Sequence, residues 1–79
     1  SGLSAISRLS PDGKNIEIVV SGEPGTVVRI EASRDVVTDR WLTREEALTL
    51  GDDGTALHTE RVSPGRNLFV RIIPVMPEQ

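Results

Sequence analysis

The stretch Ser21-Gly22-Glu23-Pro24-Gly25-Thr26-Val27-Val28-Arg29-Ile30-Glu31-Ala32-Ser33-Arg34-Asp35, continuing to a lone tryptophan at Trp41, decides the fold of this chain. Its first five residues set a proline between two glycines, the composition of a tight turn. The run that follows alternates, with Val28, Ile30 and Ala32 on one face and Arg29 and Glu31 on the other. A period of two with one apolar face specifies an antiparallel strand buried on one side.

Working outward, turn signals recur at Pro11-Asp12-Gly13-Lys14, Gly51-Asp52-Asp53-Gly54 and Ser63-Pro64-Gly65-Arg66-Asn67. Asn15 to Ser21 places Ile16, Ile18 and Val20 on one face. Leu68 to Ile73 alternates less cleanly, which predicts a central strand ended by Pro74. Leu3 to Leu9 reads as a first strand at an edge, and Thr55 to Val62 as another with Leu57 turned inward. Thr43 to Gly51 is ambiguous. Thr43 with Glu46 fits a capping box and Gly51 a helix C′ residue, but Leu48-Thr49-Leu50 alternates, and a loop followed by a strand at Ala47 to Leu50 with a hairpin tip at Asp53-Gly54 is preferred.

Seventy-nine residues form one domain, 1–79, with 74–79 as an extended tail. A formal charge of −3, with basic residues scattered along the chain, argues against a nucleic-acid footprint, and no apolar run approaches a membrane span. The chain has no cysteine, hence no disulfide, thiolate metal site or thiol nucleophile. It starts at Ser1-Gly2 with no initiator Met, charged n-region or apolar h-region, and reads as a processed or excised segment whose targeting signal would lie elsewhere. The predicted architecture is all-β: a small antiparallel β-sandwich of six or seven strands. Its core would comprise Ile16, Ile18, Val20, Val28, Ile30, Ala32, Trp41, Leu50, Leu57, Val70 and Ile72.

Ser21-Gly22-x-Pro24-Gly25, Val28-x-Ile30-x-Ala32-Ser33-x-Asp35, the following Trp41, the Asp53-Gly54 tip and the closing Phe69-Val70-Arg71-Ile72 together resemble bacterial fibronectin type III-like or immunoglobulin-like domains. The resemblance covers about Lys14 to Ile72. In that group the positions of Val28 and Val70 are more often aromatic, and the tryptophan follows the Ser-x-Asp motif more closely. The resemblance implies a non-catalytic spacer or binding module of a secreted or surface protein, located outside the cell, in the periplasm or on the cell surface. Its partners would be other domains of the same polypeptide, a polysaccharide or a surface protein.

The candidate ligand-binding residues are Trp41, Asp35, Asp39 and Arg66, on the loops 34–40 and 63–67 and beside them. Trp41 would either stack on a sugar or fill the core, and with one Phe and no Tyr to extend a platform the core is preferred. His58 is the only histidine, expected on a wet strand face; no second His or Cys completes a transition-metal site. A catalytic reading would require a pocket lined by His58 and two carboxylates. Asp35 with Asp39 and Asp52 with Asp53 offer loop carboxylates of the kind that bind Ca²⁺, but neither pair matches an EF-hand loop, and Asp53-Gly54 is explained by its turn. Glu45-Glu46 is expected to be solvated charge. Arg29, Glu31 and Arg71 fall on wet faces where cross-strand ion pairs form. No catalytic residue, cofactor or metal ligand is expected, and Leu3 to Leu9 offers an edge for strand addition.

Overall fold

A computed structural model describes residues 2–35, 37 and 40–76. Six strands follow in chain order: β1 (Ser4–Leu9), β2 (Asn15–Ser21), β3 (Val27–Ser33), β4 (Leu42–Thr49), β5 (Thr55–Arg61) and β6 (Phe69–Pro74). They form two three-stranded antiparallel sheets, β1-β2-β5 and β4-β3-β6, packed as a small β-sandwich. The alternation in β2 and β3 places Ile18 and Val20 against Val28 and Ile30, and Leu50 closes the same buried cluster. Ile16, Leu48, Val70 and Ile72 pack around it.

The chain crosses between sheets three times, and the first two crossings, β2 to β3 and β4 to β5, dock at one end of the molecule. Gly22 N donates to Gly54 O, Gly25 N to Leu50 O and Leu50 N to Thr26 O, at 2.8–2.9 Å. Gly54 has φ +79°, and a Cβ there would come within 2.4 Å of Gly22 O, so both dihedral and space demand glycine. The turn Gly51–Gly54 therefore links two sheets, correcting the expected hairpin tip. Asp53 organises it by accepting from the N–H and hydroxyl of Thr55 at 3.0 and 2.9 Å. At the opposite end, Asp12 holds the β1–β2 turn by accepting from the Ser10 hydroxyl at 2.7 Å and Lys14 N at 2.9 Å.

Four further expectations are corrected. Leu42–Thr49 is one eight-residue strand, so neither a helix nor the shorter strand stands. Its register against β3 shifts on either side of Ile30, two irregularities that obscured the alternation. β6 is an edge strand, not a central one, and its Pro74 suits that position. β5 has the opposite phase: Ala56, His58 and Glu60 face inward, and Leu57 is 49 % exposed. Trp41 is half-buried and lies outside the core cluster.

Candidate functional site

The two loops singled out in the sequence meet at the end of the sandwich where β3 finishes. Ser33, buried at the close of β3, donates its hydroxyl to Asp35 O at 2.8 Å and accepts from Asp35 N at 3.1 Å. Asp35 Oδ1 in turn accepts from Val37 N at 2.8 Å. These short-range bonds bend the chain away from the sheet. Arg34 then reaches across to the second loop, donating to Asn67 O at 3.1 Å and to Ser63 Oγ at 3.3 Å. A cleft of about 520 Å³ opens beside this tie. Ala32, Leu42 and Leu68 give it an apolar floor, Arg34, Arg40 and Arg44 stand around it, and Asp35 and Glu60 add two carboxylates.

Behind the cleft lies a charged cluster spanning both sheets. Arg44 of β4 donates to Glu60 of β5 at 3.0 Å, and Glu60 Oε2 lies 2.5 Å from His58 Nε2. His58 Nδ1 is hydrogen-bonded to Glu45 of β4. His58 and Glu60 are buried, correcting the expected wet-face histidine. The register step between Ile30↔Glu45 and Glu31↔Thr43 leaves Arg44 without a pairing position, so the adjacent Arg44 and Glu45 both reach β5. Glu45 is thus an inter-sheet partner, correcting the solvated pair; Glu46 is exposed as expected. A carboxylate on each ring nitrogen requires a proton on both nitrogens or one on a carboxyl group. Burial pushes the Glu60 carboxyl up, but Arg44 and His58 outweigh it and hold the group below its ordinary value.

The outer face of β3 carries the expected ion pairs. Glu31, buried, binds Arg29 at 2.9 Å and Arg71 at 2.7 Å. The hydrogen bond from Arg71 is the main reason its carboxyl is held below the ordinary value. Arg71 also lies over the Trp41 ring, 4.1 Å from its centroid. Trp41 is therefore held by an arginine on this surface.

Of the candidate ligand-binding residues, Asp35 lines the cleft, while Trp41 and Arg66 do not. Arg66 is exposed in a turn where its N–H donates to Ser63 O at 3.1 Å, and Asp39 lies outside the described residues. His58 sits between two carboxylates, but of these three groups only Glu60 reaches the cleft. Its ring nitrogens face carboxylates rather than a hydroxyl, so His58 is not paired with a nucleophile. No group of three or more His, Cys, Asp or Glu among the described residues is arranged to hold a metal ion.

Sequence reasoning missed Leu42, Arg44 and Glu60 as cleft residues. The one usable signal was the reversed alternation Ala56-x-His58-x-Glu60 facing a second charged run, Arg44-Glu45. In comparisons with known proteins, no family model, no curated protein and no solved structure matches this chain.

Proposed function

We propose that this chain is a non-catalytic interaction module of a larger bacterial extracellular or envelope protein, of the fibronectin type III-like or immunoglobulin-like kind. Its binding end is the cleft that opens beside the tie between loops 34–40 and 63–67. The observation that carries this reading is the tie from Arg34 to Ser63 and Asn67, which joins both loops beside an apolar floor rimmed by arginines. Loops fixed on a rigid sandwich are where such folds place recognition. Arg44 is already committed to Glu60, and Arg34 ties the loops through neutral acceptors that leave its charge uncompensated by them, so Arg40 and the charge of Arg34 are what this reading turns toward a ligand. The chemistry that fits is an anionic chain with apolar faces, such as an acidic polysaccharide, in which each pyranose ring presents C–H groups to Leu42 and Leu68 and a carboxylate to arginine.

Calorimetric titration with polygalacturonate, and with neutral xylan as control, tests the reading. Binding to polygalacturonate that weakens with salt and is lost in Arg40→Ala at unchanged thermal stability supports it. Absence of binding to polygalacturonate in a folded sample rejects the acidic polysaccharide. A neutral-sugar reading rests on a different observation, the partly exposed Trp41. A change in Trp41 emission with xylan would select it instead.

A further inference from the structure

The side of the sandwich formed by β1 and β6 is open, and its geometry is that of a site lacking a strand. Val75 N donates to Val27 O at 2.8 Å, and the register continues from Val28↔Pro74 to Ser33↔Phe69. Antiparallel ladders alternate, so residues 69, 71 and 73 spend their N–H and C=O groups on β3. Val70, Ile72 and Pro74 turn theirs toward the free edge. Pro74 has no N–H, so it costs the β3 ladder nothing and marks where a ladder on the outer side must stop. Val70 and Ile72 each present a donor and an acceptor to that edge.

The side chains agree with the backbone. Val70 and Ile72, with Ile16 and Ile18 of β2 and Ala5 and Ser7 of β1, bound a gap of about 290 Å³. All six residues of β1 are exposed, so its inward positions have no strand opposite. A strand added to β6 would lie across from Ala5 and Ser7, whose small side chains leave room for aliphatic ones. A strand added to β1 would face nothing and bury little, so β6 is the better edge. Ile6, Leu9, Phe69, Val75 and Met76 are exposed large hydrophobics on these two strands and the β6 exit.

We propose that the free edge of β6 binds an extended polypeptide strand of a partner, with aliphatic residues facing inward at alternate positions and a carboxylate between them opposite Arg71. The carboxylate follows from charge: Arg29 and Arg71 share the single carboxylate of Glu31, which leaves this surface with an excess cation. A second copy is disfavoured by the same residue. Pairing β6 with itself, faces matched and both prolines outside the ladder, puts Val70 opposite Ile72 and Arg71 opposite Arg71, and like charges directly opposite repel.

The probe is the peptide acetyl-Thr-Val-Glu-Val-Thr-Val-Ser-amide at millimolar concentration, with amide exchange of the whole chain followed by NMR. Exchange at Val70 and Ile72 should slow about tenfold, while Arg71 and Ile73, already bonded to β3, change little. Replacing the peptide's glutamate by lysine should weaken binding about fivefold, and N-methylation of the two valines flanking it should abolish binding. Unchanged exchange at Val70 and Ile72 in a chain with a dispersed, folded spectrum overturns the proposal. So does protection of Ala5 and Ser7 instead, or protection of Val70 and Ile72 that grows with protein concentration in the absence of peptide.

Discussion

Replacing His58 with alanine removes the imidazole that joins the carboxylate of Glu45 to that of Glu60. Glu60 then stays buried with Arg44 as its one remaining partner, and breaking a buried ionic cluster costs about 3–5 kcal/mol. Urea denaturation of His58→Ala should show a loss of that order. Acid should act on the same cluster. The folded Glu60 carboxyl lies below its ordinary value of 4.5, so its contribution is complete above that value and is lost as the pH falls through the lower folded one. Asp12, Asp53 and Glu31 act in the same direction. Urea midpoints measured from pH 7 down to pH 2.5 should fall below about pH 4.5 and fall less steeply in Glu60→Gln, which starts lower. Trp41 gives the contrasting case: half-buried and covered by Arg71, it should cost about 1–2 kcal/mol on truncation to alanine, less than the 3–5 of an emptied aromatic core site. Thermal unfolding of Trp41→Ala checks this.

Among the elements, β2 and β3 were legible because a single rule, alternation, governs them throughout. Ile18, Val20, Val28 and Ile30 obey it, and all are buried. β4 and β5 were misread for one shared reason. Hydrophobicity assigned Leu57 to the core, but the inner positions of β5 carry His58 and Glu60, which become buriable only because Arg44 and Glu45 supply opposite partners from β4. Neither strand's phase can be read without the other, and single-strand periodicity has no access to a partner some fifteen residues away. The cleft was partly legible: its loops were identified, but the Arg34 tie depends on side-chain reach across the end of the sandwich. The inter-sheet turn offers a test at this scale. Gly54→Ala meets both the positive φ and the Gly22 carbonyl, and should lower stability by about 2 kcal/mol or more, read as a shift in the thermal midpoint.

For the whole molecule, the core is small. Ile18, Val20, Val28, Ile30, Ala32 and Leu50 are its buried apolar residues among those described, and a domain of this size has only a few kcal/mol to lose. Ile30→Ala, at a fully buried position, should cost about 2–5 kcal/mol and leave much of the chain unfolded at 37 °C, visible as lost amide dispersion. Sheet order has a consequence during synthesis. Each sheet combines one sequence-local pair, β1-β2 or β3-β4, with a strand made later, β5 or β6. Once residues up to 50 have left the ribosome, both local pairs are complete, yet β2 and β3 each still lack a neighbour on one side. This domain therefore carries two unsatisfied strand edges until β5 and β6 emerge, and β6, the last of its six strands, completes the second sheet.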